Sequence, residues 1–429
     1  MASVPQRAVG LLDFTLRLCY KIHMQKPSIK PFKGILFDKE KAGDIASCVC
    51  PPYDVITNAG TYYERNRFNT IRLELPEPNP PLDQYDNAKE TLKNWLQQGI
   101  LKFDDKDTVY IYEQEFEVEH KTYLRRGFIA LNRIEKSRML THEETRKKAK
   151  EDRERLISSL KTYTSFVFGL YEDKTQDIEN ILTAAPKEMV YDFVDEQLVK
   201  NRFYKMTDRD AANALTREID KKNIYIADGH HRLDVSYKLG LSYIPIFLTN
   251  MYSNGIVILP YHRMIKFRNV KNINQILDSV KQYADIEKIP LENDSSLNTA
   301  MERIAKSDRP AYLLYSKDAP EALYKLKANK AIPMDDNMHE SLKKLKVNIA
   351  HNGILKGLLG IFDDEIEYTQ DSHELISDVK KGIYDLGFFL PPTTVEEVKD
   401  IADHSLYMPP KSTFFFPKIL TGLVFYKYE

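Results

Sequence analysis

The alternation of apolar and polar positions predicts a chain of short strands and amphipathic helices from about residue 31 onwards. Apolar residues recur at helical spacing at Ala88, Leu92 and Trp95, and Gly99 marks the end of that helix. Helices are also predicted from Thr141 to about Leu160, after residue 228 up to Gly240, around residues 273–280, and after Thr394. Strands are predicted at residues 34–37, 108–118, 123–135, 166–171, 223–227, 244–248 and near the C-terminus, within residues 414–428.

The length of 429 residues exceeds what one ordinary hydrophobic core supports, so we predict two domains. The pattern places an N-terminal domain at residues 31–268 and a C-terminal α/β domain at residues 269–429. Residues 1–30 form a leader that the globular part does not need. Within it, residues 7–23 have the form of an amphipathic targeting helix, but we favour an internal start at Met24.

The composition is that of a soluble globular protein, with 42% hydrophobic and 29% charged residues. Its 62 Lys+Arg against 63 Asp+Glu argue against a protein that coats nucleic acid. No apolar run reaches the length of a membrane span. Cys48 and Cys50 are interpreted as ordinary thiols on a strand, and three cysteines without paired spacing indicate a reducing, cytoplasmic compartment.

The most informative stretch runs from Asp228 to Arg232 and reads Asp-Gly-His-His-Arg. A buried strand leads into a glycine turn, and a helix begins at once, so free backbone N–H groups and Arg232 would form an anion site. Gly229 lets a phosphate approach closely, and Asp228 is placed to hold Mg²⁺ beside it. Adjacent histidines point to different sides of a helix, so we expect one of His230 and His231 to face the site.

Two other interpretations of this stretch remain open on sequence alone. In the first interpretation, Asp228 caps the helix and both histidines lie at the surface. The sequence alone gives this interpretation the same weight as the anion site. A zinc site is weaker, because adjacent histidines do not easily bind one ion and no other ligands are suitably spaced.

Two further stretches carry candidate chemistry. Thr141 and Glu144 have the spacing of a capping box, which would place Glu143 at the second helical position as an ionised carboxylate able to accept a proton. An acid that only satisfies the helix dipole is the simpler interpretation there. Residues 408–413 join a proline pair to Lys411, Ser412 and Thr413, which suits phosphate or carboxylate binding as well as it suits a solvated loop.

Several common catalytic motifs are missing from the sequence. It contains no phosphate-binding loop of the G-x-x-x-x-G-K-[ST] type, no G-x-G-x-x-G after a strand and no G-x-S-x-G elbow. Nucleoside triphosphate hydrolysis on a P-loop, dinucleotide binding on a Rossmann fold and serine-hydrolase chemistry are therefore not predicted.

Taken together, these stretches resemble the free serine kinases with a ParB/sulfiredoxin-like domain. Ile226 to Arg232, His142-Glu143 and residues 410–413 match that family's signatures in order. The long branch of the family, first catalogued as a domain of unknown function and including pyrophosphate-dependent kinases, matches further at residues 51–56, 69–74, 126–130 and 260–263. The resemblance covers residues 32–428 and implies a mixed α/β fold, with the site in the cleft between a ParB/sulfiredoxin-like domain and the C-terminal domain.

The resemblance also implies roles for individual residues. Glu143 would be the general base, and Asp228 would bind Mg²⁺ and orient the donor. The transferred and leaving phosphates would be held by Gly229, His230, His231 and Arg232. Lys411, Ser412 and Thr413 would close the site. We also predict that Arg72, Arg126 and Arg263 bind anions, because each lies in a matching motif.

The implied reaction converts L-serine and pyrophosphate into O-phosphoserine and phosphate, with Mg²⁺ as cofactor, these small molecules as partners, and neither nucleic acid nor membrane. Thr141 departs from the proline expected in many relatives, and residues 145–148 are more basic than usual. An ADP- or ATP-dependent kinase, a phosphoserine phosphatase and a ParB-like module that binds nucleotide or nucleic acid are the alternatives. Retention on heparin at low salt would favour the last.

Overall fold

The computed structural model describes residues 27–145, 147–269 and 271–428. Predictions about the first 26 residues, including the targeting helix, the start at Met24 and Cys19, lie outside the described residues. The strands are β1 (Ile29–Lys30), β2 (Ile35–Phe37), β3 (Leu101–Phe103), β4 (Tyr110–Val118), β5 (Lys121–Arg133), β6 (Met139–Leu140), β7 (Thr162–Tyr163), β8 (Val167–Tyr171), β9 (Lys187–Val194), β10 (Lys200–Met206), β11 (Ile224–Asp228), β12 (Tyr243–Asn250), β13 (Val257–Leu259), β14 (His262–Ile265), β15 (Ala284–Pro290), β16 (Ala311–Ser316), β17 (Ala322–Ala328), β18 (Ile366–Thr369), β19 (Leu386–Phe389), β20 (Phe414–Phe416) and β21 (Tyr426–Lys427).

Helices connect most of these strands. The α-helices span Lys39–Ala42, Ile45–Cys48, Ala59–Arg65, Ile71–Glu74, Gln84–Gln97, Lys147–Leu160, Asp177–Ala184, Arg209–Ile219, His230–Lys238, Ile273–Val280, Asp294–Ala305, Glu340–Lys344, Lys346–Asn348, Ser372–Lys380 and Val395–Asp403. Short 3₁₀ helices lie at Tyr53–Val55 and Asp363–Glu365, and a π-helix spans Ile349–Leu358. No helix in the described residues is both long and apolar enough to cross a bilayer.

Two large sheets organise the described residues. The first has nine strands in the order β6-β11-β8-β12-β5-β4-β10-β9, with β1 paired to β5. The second has six, in the order β15-β17-β16-β19-β14-β18. Helices accompany both sheets, so the mixed α/β class predicted from the sequence is confirmed. The ParB/sulfiredoxin-like type of the first part stays a prediction.

Central strands of the first sheet are apolar on both faces because both faces are covered. On β12, Phe247 packs into one core cluster, while its neighbours Ile246 and Leu248 pack into another. The first of these clusters continues into the second sheet through Phe388. Successive residues of a strand point to opposite faces, which explains this division. The two sheets therefore share one continuous core.

The sheets do not divide the chain at residue 268, where the sequence pattern placed the domain boundary. Strand β14, before that residue, belongs to the second sheet. Strands β20 and β21 return to the first part of the chain, pairing with β13 and β7. Ile29 and Lys30, assigned to the dispensable leader, pair with Asn132 and Leu131 of β5 and are part of the fold.

Most predicted elements are present close to their expected positions. The helix Gln84–Gln97 ends before Gly99, and the helix after Thr394 begins with the expected capping box between Thr394 and Glu397. The prediction for Cys48 and Cys50 is wrong in one respect. Both are free, buried thiols, but Cys48 ends a short helix, and Cys50 forms only an isolated bridge with Thr421.

The capping box predicted at Thr141 is wrong. The helix begins six residues later, at Lys147, and residues 141–145 form a loop. Tertiary contacts hold this loop, because Met408 donates its backbone N–H to the His142 carbonyl at 2.9 Å, and the Thr145 hydroxyl bonds Asp234 at 2.5 Å. Glu143 therefore lies on an anchored loop and is not part of the first turn of the helix Lys147–Leu160.

Candidate active site

A cavity of about 210 Å³ lies where β11 ends and the helix His230–Lys238 begins. The first helical hydrogen bond runs from the Leu233 N–H to the Gly229 carbonyl at 3.0 Å, which leaves the amides of residues 230–232 without helical acceptors. The cavity is lined by Tyr53, Asp54, Glu143, Ala149, Asp228, Gly229, His230, His231, Arg232 and Lys411. A helix N-terminus facing a cavity in this way is a ready anion site.

Gly229 makes the turn between strand and helix. Its φ of +87° lies in the left-handed region, which side chains other than glycine enter at a cost. A Cβ at this position would lie 3.1 Å from the Val167 Cα and 3.3 Å from the Arg232 Nε. Both the conformation and the space therefore require glycine here.

We expect Gly229→Ala to lower the free energy of unfolding by about 1–2 kcal/mol from backbone strain, with a further loss from the crowded Cβ. Gly240→Ala is a matched control, because Gly240 has a φ of +67° and no atom within 4 Å of the added Cβ. Denaturant unfolding of both variants measures the difference. An equal loss in the two would show that the contacts around Gly229 do not constrain the turn.

Asp228 is an ionised carboxylate held in place on both oxygens. Its Oδ1 accepts from the Gly229 N–H at 2.9 Å, and its Oδ2 lies 3.3 Å from the Lys418 Nζ. Burial alone would raise the pKa of Asp228, but the charges of Lys418 and Arg232 outweigh it and hold the pKa well below its ordinary value. Asp228 does not cap the helix, since Gly229 occupies that position.

His230, His142 and Glu143 meet at one side of the cavity. The His230 Nδ1 lies 3.8 Å from the Glu143 Oε2, and the His142 and His230 rings pack edge to face with centroids 4.9 Å apart. The histidines are buried and the Glu143 side chain is 41% exposed. The interpretation with both histidines at the surface is therefore wrong, as is the expectation that only one of His230 and His231 faces the site, because both line the cavity.

Both buried histidines are neutral near pH 7. Burial lowers the pKa of His142 to about 3 and that of His230 to about 4, from an ordinary value of 6.5. The His230 Nε2 and the Arg232 Nε are buried and have no hydrogen-bond partner among the described residues. Buried polar atoms without partners are costly, and both of these atoms belong to residues that line the cavity.

These pKa shifts predict a dependence of stability on pH. As the pH falls below about 6.5, the unfolded chain binds protons at His142 and His230 before the folded chain does. The free energy of unfolding therefore falls between about pH 6.5 and 4, by up to about 1.4 kcal/mol per pH unit for each histidine. Denaturant unfolding from pH 7 to 4.5 measures this slope. His230→Asn should reduce the slope and His120→Asn, at a fully exposed position, should not; equal slopes in all three proteins would contradict the assignment.

The C-terminal loop reaches the cavity through Lys411. Its Nζ lies 3.5 Å from the Tyr261 hydroxyl and 5.0 Å from the centre of that ring. Ser412 and Thr413 stand behind it, because the Ser412 hydroxyl donates to the Pro409 carbonyl at 2.6 Å and the Thr413 hydroxyl lies 3.3 Å from the His142 Nε2. The structure thus brings Lys411 to the cavity, while its two neighbours shape the loop.

The four predicted arginines are placed differently. Arg232 lines the cavity and donates to the Phe166 carbonyl, while Arg263 is fully buried and donates to the carbonyls of Tyr261 and Lys411, so it positions the loop. Arg72 donates to the Tyr63 carbonyl at 2.9 Å, and Arg126 bonds Glu113 at 2.7 Å. Neither Arg72 nor Arg126 lines the cavity.

Sequence reasoning missed four contributors to the site. Tyr53 and Asp54 line the cavity, and they lie in the family motif at residues 51–56, whose sequence alone does not indicate a role. Ala149 lines it from the charged helix. Lys418 pairs with Asp228 across 190 residues of sequence, and no motif marks it.

The carboxylates of the cavity suit a hard cation such as Mg²⁺. Asp54, Glu143 and Asp228 face the same space. Within the described residues, no three or more His, Cys, Asp or Glu side chains gather closely enough to hold a metal by themselves. Magnesium needs only one or two carboxylates when water and phosphate oxygens complete its shell, so the donor set fits that ion.

A family model described as a protein of unknown function, DUF1015, matches residues 29–348, and the chain belongs to that family. No match to the chain is found among curated proteins.

Several solved structures resemble the chain at low identity. A conserved hypothetical protein from Pyrococcus furiosus is 17% identical, with 67% of this chain and 92% of that one covered and a TM-score of 0.35. A free serine kinase in complex with AMP is 16% identical, covering 66% and 86%, with a TM-score of 0.35. SbnI with a C-terminal truncation, from Staphylococcus aureus, is 9% identical, covering 68% and 85%, with a TM-score of 0.36. All three TM-scores describe distant likeness.

Proposed function

We propose that this member of the DUF1015 family is a phosphotransferase that phosphorylates the hydroxyl of free L-serine, with pyrophosphate as donor. The observation that carries the proposal is the cavity itself. It combines an anion site at the start of the helix His230–Lys238 with an accessible carboxylate, Glu143, beside the buried His230. Phosphoryl transfer needs these two parts, because catalysis consists mainly of positioning and electrostatic stabilisation.

The phosphate end of the site is formed by the turn at Gly229. Free amides at residues 230–232 and the Arg232 guanidinium present positive charge to the cavity. His230, the first residue of the helix, lines the same end of the cavity. Oriented donors of this kind stabilise the charge of the transferring group without reorganisation.

Glu143 supplies the base in this proposal. It takes the proton of the serine hydroxyl as the oxygen forms its bond to phosphorus, and the bond from phosphorus to the leaving phosphate breaks. The loop that carries it is anchored by the Met408–His142 and His142–Thr413 contacts, which fix its position relative to the phosphate end. Mg²⁺, held by Asp228 together with donor oxygens and water, would neutralise charge on the donor.

The size of the cavity favours a small donor. Pockets for drug-sized ligands measure roughly 300–1,000 Å³, whereas this cavity measures about 210 Å³. L-serine and pyrophosphate are both compact. A nucleotide donor, the second candidate, would also need space for a base and a ribose.

The test is a comparison of donors with L-serine and Mg²⁺, using pyrophosphate, ADP, ATP or no donor. O-phosphoserine formed with pyrophosphate alone supports the whole proposal. O-phosphoserine formed only with a nucleotide would support the serine kinase activity and would show that the donor is a nucleotide. Phosphate released from O-phosphoserine, without any synthesis of it, identifies a phosphatase. Lack of turnover with every donor would contradict an enzymatic function and favour a binding module.

A further inference from the structure

Asp54 is the third carboxylate of the cavity lining, beside Glu143 and Asp228. It lies in the 3₁₀ turn Tyr53–Val55 that follows the Pro51-Pro52 pair, and its side chain is exposed at the cavity. It forms no hydrogen bond or ion pair with the described residues. The other two carboxylates of the cavity already have roles in the proposed reaction, because Asp228 would hold Mg²⁺ and Glu143 would accept the serine proton. Asp54 is therefore the cavity carboxylate that is left for another charged group of the substrates.

Asp54 and Lys411 are oppositely charged residues that line the same cavity. Lys411 places its Nζ 3.5 Å from the Tyr261 hydroxyl, and the charge of Asp54 adds to burial in raising the pKa of Tyr261. No ion pair joins Asp54 to Lys411, although both line the cavity. A carboxylate and an ammonium thus face one space and remain separate. An α-amino acid carries the complementary pair of charges.

We propose that Asp54 binds the α-ammonium group of the acceptor and so restricts the site to free α-amino acids, with Lys411 opposite for the α-carboxylate. This inference rests on the proposed function and deepens it. Hydroxy acids lack the ammonium group, and a seryl residue within a peptide has an amide in its place. Both leave the Asp54 charge without a partner in a partly desolvated cavity, which disfavours their binding.

The test compares wild type, Asp54→Asn and Asp318→Asn, the last a control at an exposed carboxylate in the second part of the chain. The acceptors are L-serine and 3-hydroxypropionate, which differ in the ammonium group. Asp54→Asn should raise KM for L-serine by about 10–100-fold, with kcat and KM for pyrophosphate within about 3-fold of wild type. KM for 3-hydroxypropionate should stay nearly constant, so the preference for serine collapses.

Calorimetric binding of L-serine separates this inference from the proposed function. Wild type that binds L-serine but transfers no phosphate would overturn the function, and the affinity of Asp54→Asn would still decide the role of Asp54. An unchanged affinity and KM for L-serine in Asp54→Asn would overturn the inference. An equal loss for both acceptors would do the same, since it would indicate a general effect on the cavity. Absence of L-serine binding by wild type would overturn both.

Discussion

Replacing Glu143 with glutamine is expected to lower kcat for phosphate transfer to L-serine by about 10²–10⁴-fold. Glutamine keeps the size of the side chain but cannot accept the hydroxyl proton. Binding of O-phosphoserine should stay close to that of wild type, because the phosphate contacts at Gly229 and Arg232 are untouched. Steady-state kinetics and calorimetry measure the two effects separately.

Glu144→Gln is the matched control for this variant. Glu144 is the next residue, exposed and outside the cavity lining, so its replacement removes one charge nearby without touching the site. Its kcat should remain within about 3-fold of wild type. Near-normal turnover of Glu143→Gln would show that Glu143 is not the base. An equal loss of kcat in both variants would indicate that the negative charge of the loop matters, and not proton transfer to Glu143.

The second large effect is expected from Asp228→Asn, which should lower the free energy of unfolding by about 3–5 kcal/mol. The Lys418 side chain is only 9% exposed, so losing its partner leaves a charge buried without compensation. Transfer activity should also be lost, and any remaining activity should need more Mg²⁺. Denaturant unfolding and a magnesium titration measure these effects.

A double-mutant cycle with Lys418→Met isolates the ion pair. The double variant removes both charges and should recover much of the stability lost in Asp228→Asn, while its activity stays low. This separates the structural role of the pair from the role of Asp228 in the reaction. If the free energy of unfolding of Asp228→Asn lay within about 1 kcal/mol of the wild-type value, the Asp228–Lys418 ion pair would contribute little to stability.

The strand, turn and helix around Gly229 could be predicted because their signals are local. A run of buried residues, a glycine and a helical segment follow one another within about fifteen positions, and the structure has β11, a left-handed Gly229 and the helix His230–Lys238 in that order. The capping box at Thr394 is confirmed for the same reason. In both places the local preference and the final packing agree.

The prediction at Thr141 failed although its local signal was similar. The loop backbone is bonded to Met408 and the His142 ring lies against Thr413, both more than 260 residues away in sequence. Such contacts override a capping preference of about 1 kcal/mol. Sequence spacing alone does not reveal them.

The charged residues show the same limit. Lys418 could not be assigned to Asp228, because only the return of the C-terminal segment, through the pairing of β20 with β13, brings them together. Arg126 lies in a matching motif, yet it bonds Glu113 of β4 and Thr183 of the helix Asp177–Ala184 and does not line the cavity. A sequence motif identifies the type of residue at a position. The partner that neutralises the charge of that residue depends on the fold.

The central claim is that the cavity transfers a phosphoryl group to serine, and a time course by ³¹P NMR tests it most directly. Protein, L-serine, pyrophosphate and Mg²⁺ are combined, with omission of serine as the control. The account predicts a growing O-phosphoserine resonance matched by an equal amount of phosphate, and neither signal without serine. Phosphate that accumulates at the same rate with and without serine, with no O-phosphoserine, would contradict it.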